Sequence, residues 1–200
     1  MKRALILCPG RGSYARASLG SLKGIVSESL QPFEALRQAT GRPTVREMDA
    51  SERFSARLHV AGENASILTA GITLADLDQL DETKVKPVAV CGNSMGWYTA
   101  LGYAGALSLP ECARLIETMG QYQAGNVIGG QIVYPLTDSQ WRLDPARLAA
   151  VEDAVATIDG LFWSIKLGGQ AVLGGTEEAL AAAGERLTPE DGVALLRSHD

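Results

Sequence analysis

Short apolar runs alternate with longer amphipathic stretches along the first 125 residues. Ala4 to Cys8 is an apolar run that ends at Pro9-Gly10, and it predicts a buried strand. Val88 to Cys91 is a second such run, which the connection 84–87 leads into. Because the chain reaches the second strand through helical patterns, we expect an α/β core in which the two strands pair in parallel.

Apolar residues at helical spacing predict the helices of this first part. They predict helices over 25–38, 65–80 and 98–107, and a further one over 110–120, where Pro110 suits the first turn. The stretch from 46 to 59 is polar and has no clear period.

The pattern changes after Gly125. Alternating or apolar runs predict four strands, and two helical stretches separate them, the second with Thr176 as its N-cap. The resulting order β-α-β-β-α-β is the ferredoxin-like pattern. The predicted strands are 131–136, 161–166, 170–173 and 193–196, and the predicted helices are 144–158 and 176–187.

The fold class predicted from these patterns is α/β. A hydrolase-like core with a parallel sheet would occupy residues 1–125, and a ferredoxin-like small subdomain inserted into it would occupy 126–196. Residues 197–200 would return towards the core.

Composition and charge exclude several classes of function. Hydrophobic residues make up 46% and charged residues 20%, as in ordinary soluble domains. The net charge is −5 and no basic run occurs, so we expect no nucleic-acid partner. The first apolar run is too short for a signal peptide, and no stretch has the length of a membrane span, so we expect a cytoplasmic protein without a membrane partner.

The cysteine and histidine content gives no pattern for a metal site. Cys8, Cys91 and Cys112 form no CxxC pair, and we expect them to be reduced, buried and apolar in role. We therefore expect no metal and no cofactor. His59 lies in the polar stretch without a motif around it, which favours a surface or local structural role.

The strongest chemical motif is Gly92-Asn93-Ser94-Met95-Gly96, which lies between the second strand and the following helix. Gly-x-Ser-x-Gly at a strand-to-helix turn is the sequence form of a nucleophile elbow. The two glycines remove Cβ atoms that would collide in the sharp turn. The serine hydroxyl is thereby exposed, and N–H groups at the helix start point to a developing oxyanion.

Several ordered stretches together resemble the malonyl-CoA:acyl carrier protein transacylase family, the acyltransferases of fatty acid and polyketide synthesis. Residues 5–13 resemble the opening strand and its P-G-Q-G-S loop, and 65–70 resemble the helix before the elbow. Residues 92–108 resemble G-H-S-L-G-E-Y-x-A-L and A-G-A-L-S, residues 169–175 resemble G-Q-x-V-I-A-G, and 197–199 stand where the family has its S-H.

The resemblance implies a two-step transfer through a seryl acyl-enzyme. Ser94 would attack the thioester of acyl-CoA, and His199 would act as the base that takes and returns the serine proton. The backbone N–H groups of Met95 and Arg11 would form the oxyanion hole. The phosphopantetheine thiol of an acyl carrier protein would then accept the acyl group, with acyl-CoA as a substrate and not a cofactor.

Departures from the family pattern concern the substrate pocket. Arg11 replaces the loop glutamine, Asn93 the histidine before the serine, and Trp97 the glutamate after the elbow. Met119 stands where malonyl-specific members carry an arginine, which a buried malonyl carboxylate needs. We therefore expect a non-malonyl acyl group in a pocket that also includes Asn64. Arg11 could supply a replacement cation from the loop, but we favour a position facing solvent for both Arg11 and Arg114.

The family's sequence continues beyond the catalytic histidine, whereas Asp200 follows His199 directly. We therefore expect the C-terminal part of the core to be missing here, or to be completed by a second polypeptide. Two other functions stay open: an acyl hydrolase that clears stalled carrier proteins, and a non-catalytic interaction module of a synthase. Arg11, Lys166 and Arg197 are candidates for a basic patch that would bind an acidic carrier.

Overall fold

The computed structural model describes residues 1–126 and 129–187. By its contacts the chain divides after Asn126 into two units. The first unit contains β1 (Lys2–Cys8), α1 (Gln31–Ala39), α2 (Val45–Asp49), α3 (Ala56–His59), α4 (Gly62–Leu77), β2 (Val85–Gly92), α5 (Gly96–Tyr103) and α6 (Leu109–Gly125), with single 3-10 turns at Arg11–Ser13 and Arg16–Ser18.

The two strands of the first unit pair in parallel, as the sequence predicted. The pairing runs from Lys2 opposite Val85 to Cys8 opposite Gly92, with a shift of register just after Ala4. The stretch 84–87, predicted as a connection, is mostly strand. Pro87 pairs with Ala4 directly before the shift of register, and such an irregularity is one of the places where a strand tolerates proline.

The helix α4 is the centre of the first core. Twelve of its sixteen residues are buried, because other helices pack around it. Gly71 allows the closest approach, since a Cβ built there would lie 2.9 Å from Leu30 Cδ1 and 3.0 Å from Val45 Cγ2. Small residues on α4 therefore let the surrounding elements pack against it.

Side-chain hydrogen bonds explain where the sequence prediction of helices was wrong. The helix predicted over 25–38 begins only at Gln31, because Ser27 and Ser29 donate their hydroxyls to Asp78 at 2.6 and 2.7 Å and hold an irregular turn. In the polar stretch, Thr44 and Ser55 cap α2 and α3, whose shortness hides any apolar period.

The second unit contains β3 (Gly130–Pro135), α7 (Pro145–Thr157), β4 (Leu161–Lys166), β5 (Gln170–Gly175) and α8 (Glu177–Arg186). The strand β5 lies between β3 and β4 and is antiparallel to both. Therefore β3 and β4 are parallel strands joined through α7, which is the split β-α-β arrangement of the ferredoxin-like pattern. Thr176 caps α8 as expected, and the predicted strand 193–196 lies outside the described residues.

Each unit has its own hydrophobic core. In the first unit the core gathers around α4 and α6, and in the second it lies between the sheet and the helices α7 and α8. Within the described ranges, no helix combines the length and the apolar character needed to cross a membrane.

Candidate active site

Ser94 lies at the turn between β2 and α5 in a strained backbone conformation. Its φ is +51°, in the left-handed region that non-glycine residues rarely adopt. A Cβ built on Gly92 would lie 2.2 Å from the carbonyl carbon of Gly96, and one on Gly96 would lie 2.2 Å from the Cys8 oxygen. The chain therefore needs both glycines, and the turn leaves Ser94 exposed.

The loop after β1 packs directly against this elbow. The Asn93 N–H donates to the Cys8 oxygen at 3.0 Å, which continues the strand pairing into the turn. A Cβ built on Gly10 would lie 3.2 Å from the Asn93 oxygen and 3.6 Å from Ser94 Cβ. Gly10 thus allows the loop to approach the serine, and the next residue, Arg11, lies beside the elbow.

Two backbone donors near Ser94 have no acceptor. The N–H groups of Met95 and Arg11 donate no hydrogen bond to any residue that the structure describes. Met95 immediately precedes α5, so its N–H belongs to the positive end of that helix. Unoccupied donors beside an exposed serine can stabilise a negative oxygen that forms when the serine attacks a carbonyl.

The Arg11 side chain is half-buried and does not face solvent fully, which corrects the expectation for it. Its Nη1 lies over the first residue of α4, where a Cβ built on Gly62 would be 3.1 Å away. Burial lowers the pKa of the Arg11 guanidinium. No carboxylate among the described residues forms an ion pair with Arg11. No pattern in the sequence predicts this contact between residues 11 and 62.

The other predicted pocket residues of the first unit differ in exposure. Trp97 is 56% exposed near the start of α5, and Met119 is 37% exposed on α6. Asn93 is half-buried in the elbow itself. Arg114 is exposed on α6, as the sequence predicted. These positions leave Met119 accessible to a ligand, and the pocket role of these residues stays a prediction.

Asn64 belongs to a buried charged network that the sequence did not reveal. Arg37 is fully buried and donates to the Asn64 side-chain oxygen and, at 3.1 Å, to Glu117 Oε1. Arg42 also donates to Glu117 at 3.2 Å, and Gln121 donates to it at 2.9 Å. Burial lowers the pKa of Arg37, and Glu117 opposes that shift.

The network borders a cavity of about 430 Å³, lined by Arg37, Arg42, Pro43, Glu63, Asn64, Gln121 and Ala124. The Asn64 oxygen holds α4 to α1 through Arg37, which gives this side chain a structural role. Its part in an acyl pocket stays a prediction.

The chain has two histidines, His59 and His199. His59 is buried, and its Nε2 lies 3.0 Å from the Met48 oxygen, while its ring stacks with Phe54 at 5.0 Å. This confirms a local structural role and excludes a surface position. His199, the predicted base, lies outside the described residues.

All three cysteines are described, and none forms a disulfide. Cys8 and Cys112 are buried as predicted, whereas Cys91 is only half-buried. Among the described residues no group of three or more acidic, histidine or cysteine side chains could hold a metal ion.

Comparison with known proteins relates the fold of the chain to one group of solved structures. No protein-family model matches the chain, and no curated protein matches it in sequence. Solved structures do match. The malonyl-CoA:ACP transacylase of Synechocystis sp. PCC 6803 superposes with a TM-score of 0.76 and 20% identity, over 98% of this chain and 62% of that chain.

Two further structures agree. The acyltransferase domain of the polyketide synthase PpsC of Mycobacterium tuberculosis gives a TM-score of 0.74 at 21% identity, over 98% of this chain and 56% of that one. A malonyl-transacylase in complex with its type II PKS acyl-carrier protein gives 0.72 at 21%, over 99% and 63%. The chain therefore has the malonyl-CoA:ACP transacylase fold, which confirms the resemblance and the fold class, and it spans less than two thirds of these structures' length.

Proposed function

We propose that the chain carries the site of an acyltransferase that moves an acyl group from acyl-CoA to the phosphopantetheine thiol of an acyl carrier protein. The observation that carries this proposal is the elbow. Ser94 is exposed in a left-handed conformation beside two backbone donors that have no acceptor among the described residues. The similarity in fold to transacylases supports it.

The proposed first step is attack by Ser94 Oγ on the thioester carbonyl carbon. The carbonyl oxygen becomes negative and is stabilised by the Met95 and Arg11 N–H groups. When the intermediate collapses, the carbon–sulfur bond breaks, and the proton taken from Ser94 passes to the sulfur of coenzyme A. The second step reverses this chemistry, with the carrier thiol as the attacking group.

We assign the proton transfer to His199. A serine hydroxyl is a weak nucleophile near neutral pH, so the reaction needs a base. His59 is not available for this role, because it is buried and both of its ring nitrogens lie within hydrogen-bond distance of backbone oxygens. We expect His199→Ala to slow acylation roughly 10²–10⁴-fold, the usual contribution of a positioned base. Rapid-quench mass spectrometry measures this rate, and an unchanged rate would exclude His199.

The acyl group is proposed to be other than malonyl, because Met119 offers apolar, adaptable surface and no cation. Introducing the missing cation tests this point. Met119→Arg should raise the preference for malonyl-CoA over acetyl-CoA by at least about tenfold, the value of one charge-assisted bidentate contact. A folded Met119→Arg protein with an unchanged preference would show that this residue does not line the pocket.

The proposed partner is an acyl carrier protein, since one of the similar structures is a complex with such a carrier. Of the predicted basic residues, Lys166 is exposed, with its Nζ 4.9 Å from the centre of the Trp163 ring. Arg197 lies outside the described residues. A second polypeptide that completes the core also stays a prediction, supported by Leu5 and Leu7, whose exposed fractions are 63% and 65%.

One experiment separates the proposed function from its alternatives. The protein is incubated with a panel of acyl-CoA donors and a holo-carrier protein, and intact masses are taken of both. Acyl mass that appears on the carrier supports transfer. Free acid without carrier acylation would favour the hydrolase, and carrier binding with no acylation under any donor would favour the interaction module.

A further inference from the structure

Arg11 lies at a fixed place beside the nucleophile. The hydroxyl of Thr69 on α4 donates to the Arg11 carbonyl oxygen at 3.3 Å. The preceding residue, Gly10, packs against Asn93 and Ser94. The backbone of Arg11 is thus held between α4 and the elbow, and its side chain starts close to the reacting serine.

The guanidinium of Arg11 occupies space that a glycine leaves open. A Cβ built on Gly62 would lie 3.1 Å from Arg11 Nη1, 3.5 Å from the Gly120 oxygen and 3.6 Å from Ala124 Cβ. The cation is therefore located where α4 begins and the second half of α6 passes. This half of α6 carries Met119, the residue before Gly120.

The electrostatic surroundings of Arg11 are unfavourable to a cation. The side chain is half-buried, and the nearby start of α4 carries positive partial charge, although the exposed Glu63 in its first turn carries the opposite charge without forming an ion pair with Arg11. The other buried or half-buried arginines that the structure describes all have acceptors: Arg37, Arg42 and Arg147 form ion pairs with carboxylates, and Arg46 donates to the carbonyl oxygens of Leu22 and Ile25. Arg11 has no such partner within the described ranges, so a bound anion would remove an existing electrostatic cost.

We infer that the Arg11 guanidinium binds a carboxylate at the far end of the acyl group, so that the preferred substrates are carboxyacyl thioesters longer than malonyl. This inference rests on the proposed function of Ser94. The Arg11 N–H is proposed to bind the carbonyl oxygen, and the Arg11 guanidinium the carboxylate. The acyl chain then has to span much of an arginine side chain, which succinyl or glutaryl can do better than malonyl.

The test compares donors that differ only in the carboxylate. Succinyl-CoA is paired with butyryl-CoA, and glutaryl-CoA with pentanoyl-CoA. Acylation rates are measured by intact mass, and binding of the same thioesters is measured by calorimetry on the Ser94→Ala protein, which cannot form the acyl-enzyme. We expect at least a tenfold preference for the carboxyacyl member of each pair in both measurements.

Variants of the chain assign the preference to Arg11. Arg11→Gln should abolish it by weakening the carboxyacyl donors far more than their uncharged partners, and Arg11→Lys should keep part of it because the charge is retained. Gly62→Ala should reduce it by displacing the guanidinium. Arg16→Gln removes an exposed arginine from the next turn and should change nothing.

The outcomes separate the inference from the function on which it rests. Equal binding of paired donors, or a preference that survives in Arg11→Gln, would overturn the inference even if Ser94 is acylated. Malonyl-CoA as the best donor would overturn the expected chain length. Selective binding without acylation of Ser94 would support the Arg11 contact and contradict the proposed catalytic function.

Discussion

At the scale of single residues, the turn around Ser94 depends on two glycines. A methyl group at position 96 would lie 2.2 Å from a backbone oxygen, which no side-chain movement can relieve. We predict that Gly96→Ala lowers the free energy of unfolding by roughly 2 kcal/mol or more, the usual cost of overpacking with backbone shifts. Urea unfolding measures this change.

Gly12 supplies the matched control for that substitution. A Cβ built on it meets no atom within 4 Å. Gly12→Ala should therefore change the free energy of unfolding by less than about 0.5 kcal/mol, as expected of surface substitutions. Equal effects of the two substitutions would contradict the geometry of the elbow.

The cysteines give a prediction about reactivity and pH. Burial raises the pKa of Cys112 from 9.0 to about 11 and also raises the pKa of Cys8, with a further contribution from Cys91. At pH 8, alkylation of the folded protein should label the half-buried Cys91 first, because the thiolate is the reactive form. Peptide mass mapping checks the order, and labelling of Cys112 ahead of Cys91 would contradict it.

The same shift links stability to alkaline pH. Because folding raises the pKa of Cys112, its contribution to stability is fully present below pH 9 and is lost as the pH rises through about 11. The free energy of unfolding should decline over this interval, and it should decline less steeply in Cys112→Ala.

At single residues, the features that could be predicted from the sequence are those that neighbouring residues determine. The glycine spacing around Ser94 and the cap at Thr176 are encoded by neighbouring residues, and both could be predicted. The contact of Arg11 with Gly62 could not, because it depends on how the loop after β1 packs on α4. A glycine at the first position of a helix gives no indication of which side chain will lie over it.

At the scale of elements, the pair Arg37–Glu117 joins α1 to α6. We predict that Arg37→Met lowers the free energy of unfolding by about 3–5 kcal/mol, because Glu117 would keep a buried charge with only a half-exposed arginine beside it. Arg114→Met on the exposed side of α6 should cost little. Urea titrations compare the two.

The double variant sharpens this test. Arg37→Met with Glu117→Met removes both charges, and it should recover part of the lost stability because no unpaired charge stays buried. A double variant that is less stable than the sum of its single variants would contradict this account. The sequence could not predict the pair, since charged residues on amphipathic helices ordinarily face solvent and these two are far apart along the chain.

At the scale of the whole molecule, the alternation of short strands and helices predicted both parts of the fold. The parallel pairing of β1 and β2 followed from the connection through helices, and the β-α-β-β-α order followed from periodicity. The exposure of one face of β1 could not be predicted from these patterns. Parallel sheets are usually covered on both faces, yet Leu5 and Leu7 on one face of β1 are largely exposed.

This exposure leads to a prediction about stability. Leu7→Ala should change the free energy of unfolding by less than about 1 kcal/mol, because the side chain loses little buried area. Leu68→Ala, in the centre of α4, should cost about 2–5 kcal/mol, because Leu68 is fully buried. Comparable losses in urea titrations would show that the face of β1 is covered in solution.

Locating the acyl group after reaction with an acyl-CoA shows whether Ser94 forms an acyl-enzyme. The protein is mixed with an excess of acyl-CoA, quenched in acid and digested, and the acylated peptide is sequenced by mass spectrometry. We predict one added acyl group on Ser94, its absence in Ser94→Ala, and its loss on addition of a holo-carrier thiol. Acylation at another residue, or an unchanged acyl mass in Ser94→Ala, would contradict it.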